Sequence, residues 1–235
     1  MLARLLPLLI AFNFSQYHPQ VWESITSMLT PIDISVQENG DIYAATAGGL
    51  IHLDIINEKF NFINDYDGLI DLNLKSVESD DLGRLWLGSS YPNGYLQVFD
   101  RAKGLIHKIT NLNGVSELRN INIGNHKAFA VYKGITNHDI GILEFSLDNN
   151  GLPVYNDYFN NFGSNILEIY DFKYYQDSLL YLTTDKGIFA ANHKHNLKSA
   201  DNWVMIYEGI DAIQYLPISI QPVNDGYIVT NSELF

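Results

Sequence analysis

Six residues in short polar stretches are the best placed in this chain to touch a ligand: Tyr66, Asp67, Asp71, Tyr91, Asn93 and His138. Further hydrogen-bonding side chains occupy the same stretches, among them Asp65, Asn73, Asn111, Asn113, Asp139, Asn160 and Asn161. Amides and carboxylates hydrogen-bond sugar hydroxyls, and a tyrosine ring covers the apolar face of a sugar, so the mixture suits a glycan or peptide ligand. The competing account is that Asn, Asp and Gly are what the chain needs wherever it reverses.

Other chemistry is poorly supported. Asn64-Asp65-Tyr66-Asp67-Gly68 has the look of a calcium loop opening, but with Asp67 at the fifth position the first falls on Ile63 and the twelfth on Leu74. His193-Lys194-His195 offers two imidazoles on one side of an extended segment, with no third ligand near in sequence. Neither G-x-S-x-G nor H-E-x-x-H occurs. Asp80-Asp81 falls in a turn, where carboxylates satisfy backbone amides rather than forming an acid–base pair. The expectation is a binding protein with no catalytic residues, no metal and no cofactor.

Composition narrows the partners. The 14 basic and 27 acidic residues give a net charge of −13, a field that repels phosphate backbones and anionic lipid and leaves cations or uncharged ligands favoured. With no cysteine there is no disulfide, thiolate metal site or cysteine nucleophile. At the N-terminus, Arg4, the apolar run Leu5–Phe12 and the small Ser15 before Gln16 read as a secretory signal peptide over residues 1–15. A buried first strand or helix of the domain is the competing reading. The run is too short for a permanent membrane anchor, so residues 16–235 are expected in the periplasm, at the cell surface or secreted.

The elements that must position these residues repeat. Segments opening at Ile42, Leu85, Ala128, Leu180 and Gly226 align, with spacings of 43, 43, 52 and 46 residues. Each is a short apolar strand, a turn and a second strand. Before each lies another alternating strand: Ile32–Val36, Leu74–Val77, Leu118–Ile123, Ile166–Phe172 and Ile213–Ile220. Polar reversals such as Glu38-Asn39-Gly40-Asp41 join the two. After the pair comes a fourth strand, as at Phe60–Ile63, Leu105–Ile109, Val154–Phe159 and Trp203–Tyr207. Four antiparallel strands per forty-odd residues, repeated, predict an all-β fold, a β-propeller. About four and a half blades are expected, a fragment of a larger propeller continuing past residue 235, with Trp22–Met28 an outermost strand that closes the ring. In a propeller the ligand-facing loops are those between blades and between second and third strands, which gathers the six residues at one end. Trp86, Phe129, Tyr181 and Tyr227 take equivalent middle-strand positions and are expected to pack between blades.

Residues 67–90, DGLIDLNLKSVESDDLGRLWLGSS, resemble the two-component regulator propeller repeat at Asp67-Gly68-Leu69, Asp81-Leu82-Gly83 and Leu85-Trp86-Leu87-Gly88-Ser89. Tyr43–Leu50 and Tyr181–Ile188 repeat its weaker half. Trp22-Glu23-Ser24-Ile25-Thr26-Ser27 with residues 40–50 is also similar to the N-terminal propeller of PorZ-like proteins of the type IX secretion system. The resemblance implies an extracytoplasmic sensor or binding module with further domains, or a scaffold component of a secretion or cell-envelope assembly. It says little about a ligand. A propeller hydrolase or lyase is the remaining alternative, because such enzymes gather their residues from distant parts of the chain.

Overall fold

The computed structural model describes residues 28–90, 93–136, 139–208, 215–224 and 226–233. Four four-stranded antiparallel sheets and one two-stranded sheet follow each other along it. The first is β1 (Pro31–Val36), β2 (Ile42–Thr46), β3 (Gly49–Asp54) and β4 (Lys59–Ile63). The second is β5 (Leu74–Ser79), β6 (Leu85–Ser89), β7 (Leu96–Asp100) and β8 (Gly104–Ile109). Then come β9 (Val115–Ile123), β10 (Lys127–Gly134), β11 (Ile140–Leu147) and β12 (Pro153–Phe159). The fourth is β13 (Ile169–Tyr175), β14 (Leu179–Thr184), β15 (Gly187–Asn192) and β16 (Val204–Glu208), and the last pairs β17 (Tyr215–Val223) with β18 (Gly226–Glu233). Every repeat start expected from the sequence falls within a residue of a second strand, and strand order within each sheet is sequential. Trp22–Ser27 and residues 1–15 lie outside the described residues, as does Phe235.

The first strands β1, β5, β9, β13 and β17 pack beside one another in that order, so the sheets are blades around an axis. What holds them there is a device repeated in each inner strand. The register slips between Pro31 and Asp33, Leu74 and Ser76, Ile169 and Asp171, and Pro217 and Ser219, and β9 carries the same bulge between Arg119 and Asn122. A bulge turns the next side chain out of its own ladder, here toward the neighbouring blade. Asp33 Oδ2 accepts from Ser76 Oγ at 2.9 Å and from the Val77 N–H at 3.0 Å. Ser76 Oγ in turn accepts from the Ile121 N–H at 3.1 Å. Asn120 Nδ2 donates to Asp171 Oδ1 at 3.2 Å, and Asp171 Oδ2 accepts from Ser219 Oγ at 2.8 Å and the Ile220 N–H at 3.0 Å. The belt crosses all four seams and satisfies backbone donors that would otherwise be buried without partners.

Outward from the belt the seams are apolar. Tyr43, Leu50, Leu74 and Leu87 fill the first, Trp86, Val98, Leu118 and Phe145 the second, and Phe129, Phe172, Phe162 and Trp203 the third. Trp86 and Phe129 have no exposed surface, as expected of middle-strand aromatics. Tyr227 meets Tyr181 of the neighbouring blade with ring centres 6.2 Å apart, and it is 40% exposed. Trp86 closes the turn that precedes it, its indole N–H donating to Asp80 Oδ2 at 3.1 Å, while Asp80 Oδ1 accepts from the N–H groups of Leu82 and Arg84.

Candidate functional site

In a sequential meander the connections between blades and the second-to-third-strand loops share one end of the sheets. Here they are also bonded to one another: the Ser90 N–H donates to Asn73 O, Gly94 to Val115 O, Ile135 to Gly114 O and Asp185 to Glu168 O. Of the six residues singled out from the sequence, the described ones fall in two connections, Tyr66, Asp67 and Asp71 between β4 and β5 and Asn93 between β6 and β7. Tyr66 and Asp67 belong to a single 3-10 turn, Asp65–Asp67, where Asp67 Oδ2 accepts from the Asn64 N–H at 2.9 Å and Asn64 Oδ1 accepts from the Tyr66 N–H at 2.9 Å. This reciprocal cap explains the Asn-Asp-Tyr-Asp-Gly string without a cation. Asp67 faces the β7–β8 turn, alongside Arg101 and Lys103.

Asp71 sits deeper in the same connection. Its Oδ1 accepts from the Asn73 N–H at 2.9 Å, and burial pushes its carboxyl above the usual range. The wholly buried Gln97 pins this segment, accepting from the Ile70 N–H at 2.8 Å and donating to Asp71 O at 3.3 Å. Asn93 is exposed beside Gly94, which is bonded to Val115. Tyr91 and His138 lie outside the described residues. Of the two imidazoles, His193 Nε2 is bonded to Asp177 O at 2.7 Å; among the described residues no group of three metal-ligating side chains occurs.

The arrangement with most chemistry is a cavity of about 430 Å3 at the outer end of the seam between the second and third blades. Asn111 and Asn113 come from the β8–β9 connection, Asp139 from the β10–β11 loop, Asn160 from just after β12, and Tyr155 and Tyr158 from β12 itself. Tyrosines three apart on a strand should point to opposite faces. The slip between Glu144 and Phe145 reverses this: Leu143 pairs with Tyr158 and Phe145 with Tyr155, so one residue of β12 is extra and both rings share a face. They are 43% and 48% exposed, about half their area facing outward.

The floor is Tyr132, 3% exposed, whose hydroxyl donates to Asp139 Oδ1 at 3.0 Å. Burial first, and then the Asp139 charge, push the Tyr132 hydroxyl well above its ordinary range, so it remains a neutral donor. No lysine or arginine lines this cavity. Sequence reasoning placed Asn111, Asn113, Asp139 and Asn160 in ligand-facing loops but did not join them to Tyr155 and Tyr158. The joining signal was their three-residue spacing inside a strand, which only a bulge reconciles.

No family model and no curated protein matches the chain. Solved structures do. PorZ of Porphyromonas gingivalis, described as a bacterial surface component of the type-IX secretion system, superposes with a TM-score of 0.60 at 15% identity, over 86% of this chain and 31% of PorZ. The extracellular domain of BT4673 from B. thetaiotaomicron, described as part of a one component system, gives 0.60 at 13% identity, over 89% and 27%. XC5397 of Xanthomonas campestris, described as a gluconolactonase, gives 0.61 at 7% identity, over 84% and 68%. The chain is a β-propeller. It spans under a third of the length of PorZ and of BT4673, and at these identities the likeness concerns the fold alone. Among the described residues no helix is long and apolar enough to cross a membrane.

Proposed function

We propose that this chain is an exported, non-catalytic recognition domain that binds a neutral glycan in the cavity between its second and third blades. The observation that carries the reading is the pairing of Tyr155 and Tyr158 on one face, above Asp139 and three asparagine amides. Two half-exposed rings suit the apolar faces of sugar units, and the amides and the carboxylate suit their hydroxyls. A cavity of this size fits one or two such units. Among the described residues Asp139 is the one charged group lining the cavity, which disfavours anionic ligands. Asn93 adjoins Gly94, whose N–H is bonded to Val115 O at the rim.

No glycoside cleavage is proposed for this cavity. Glycoside cleavage takes two opposed carboxylates, and the one carboxylate here is already bonded to Tyr132. Export is part of the proposal, with residues 1–15 as the leader; mass spectrometry of the exported protein is expected to find Gln16 first. The neighbours' described locations, an extracellular domain and a surface component, agree with it.

A glycan array probed with the full chain tests the ligand. Binding to neutral oligosaccharides that is lost in Tyr158→Ala and retained in a variant at an unrelated exposed site is the expected result. Binding of peptides in place of sugars at the same cavity would replace the ligand class. Capture of neither would leave the scaffold role of a PorZ-like component as the better reading.

A further inference from the structure

A second cavity, of about 540 Å3, opens at the outer end of the seam between the first and second blades. Beneath it lies a polar arrangement that holding two sheets together does not require. Tyr43, His52 and Asn61 form one register row across β2, β3 and β4. His52 has no exposed surface and Asp41 is 5% exposed. Asn61 Nδ2 donates to His52 Nδ1 at 3.1 Å, which leaves the Nε2 N–H on the side of Asp41 Oδ2, 3.1 Å away. The Tyr43 ring stacks on the imidazole at 4.5 Å. Arg101, from the β7–β8 turn, stands 3.7 Å from the same Asp41 oxygen.

Apolar residues of similar shape would hold the sheets as well, because burying polar groups costs desolvation. The row has another consequence. It fixes two hydrogen-bonding groups, the Asn61 amide and the Arg101 guanidinium, at the wall of the cavity, as supporting residues do beneath a binding site. Lys103 stands beside them. Several other cations at the seams are held more tightly than these two. Arg84, Lys127 and Lys198 sit 2.6, 2.5 and 2.8 Å from their carboxylates, whereas Arg101 and Lys103 are 3.7 and 3.8 Å from theirs and 53% and 74% exposed. Their donors are therefore not consumed by the protein's own acids.

We propose that this cavity is a second binding site, for a ligand carrying a single carboxylate. Arg101 and Lys103 take the carboxylate, and Asn61 and Asp67 meet an adjacent hydroxyl or amine. Asp41, Asp67 and Asp100 close by, within a chain of net charge −13, disfavour phosphates and polyanions. A sugar acid and the C-terminus of a peptide both present this chemistry.

The experiment is an amide-resonance titration of the full chain with glucuronate against glucose, and with glycyl-phenylalanine against its C-terminal amide. One acid of the two pairs is expected to shift the Asn61, Arg101 and Lys103 resonances saturably while its neutral counterpart does not, and the acid that binds identifies the source. Arg101→Gln is expected to weaken that binding about tenfold, the loss of one charge-assisted hydrogen bond, and Tyr158→Ala to leave it unchanged. Should Arg101→Gln perturb the fold, the more exposed Lys103→Gln takes its place. Equal binding of acid and neutral probes, no saturable shift with either acid, or full binding by these variants overturns the proposal. Failure on the glycan array leaves it standing, because the two cavities share no lining residue.

Discussion

The seam between the first and second blades and the seam between the second and third begin alike and end differently. At the axis each is closed by the bulged inner strand, with Asp33 taking hydrogen bonds from Ser76 and Val77 in one and Ser76 taking the Ile121 N–H in the other. Further out, the second seam stays dry around Trp86, Leu118 and Phe145 and finishes in an aromatic cavity that no cation lines. The first instead buries Asp41 and His52 and finishes in a rim with Arg101 and Lys103. The inner half of a blade must meet its neighbour at close range, and the fold dictates its residues. The outer half splays away, and there the same repeat hosts different chemistry.

The largest effect is expected where the dry seam is cut. Trp86→Ala removes a fully buried indole and one of the donors to Asp80 Oδ2, which keeps its bond from Arg84. A loss of about 3–5 kcal/mol in chemical denaturation is expected, a large part of the stability of a domain this size. A loss below about 1 kcal/mol would mean that this seam is no more tightly packed than its open end.

Glu78 tests whether the inner halves are as uniform as the belt suggests. It stands on β5 near Asp33, and burial first, with Asp33 adding and Lys173 opposing, pushes its carboxyl up to about 7 from 4.5. The folded protein thus holds a proton that the unfolded chain releases. The stability this brings is complete below the unfolded value of 4.5 and is lost as pH rises toward about 7. At about 1.4 kcal/mol per unit, with allowance for partial exposure, the parent is expected to lose about 2 kcal/mol relative to Glu78→Gln between about pH 5 and pH 8. Parallel denaturation midpoints for parent and variant across that range would refute it.

Much of this architecture was legible from residues 42–96, where turn residues and alternating apolar side chains recur at a fixed spacing. The belt was not. Asp33, Ser76, Asn120, Asp171 and Ser219 are of three residue types, and each follows or occupies a bulge that shifts it out of the two-residue period a reader counts. The ligand-facing residues were harder still. Tyr66 and Asp67 look like contacts because Asx-rich strings cap turns and bind ligands with the same atoms. Tyr155 and Tyr158 look like core because strand aromatics usually are. Only the register separates the two cases. Ser76→Ala sharpens the point: it frees the Ile121 N–H and one acceptor site of Asp33, so a loss of about 2 kcal/mol and faster hydrogen exchange at Ile121 are expected. Unchanged exchange at Ile121 would remove the belt from the account.

The smallest expected effect on stability separates the two ends of the second seam. Tyr158 packs on the rim with about half its surface outside, and the Lys198 ammonium lies 5.9 Å from its ring centre. Tyr158→Ala is therefore expected to cost under about 1 kcal/mol of fold stability, as a partly exposed site away from the core does. Its cost to ligand binding should be larger: a stacked ring contributes about 0.5–1.5 kcal/mol beyond area burial, so affinity for a neutral oligosaccharide should fall about tenfold. If stability fell as far as it does for Trp86→Ala while affinity held, Tyr158 would belong to the packing of the seam. The distinction between a fold-dictated inner half and a ligand-facing outer half would then fail at the place where it matters most.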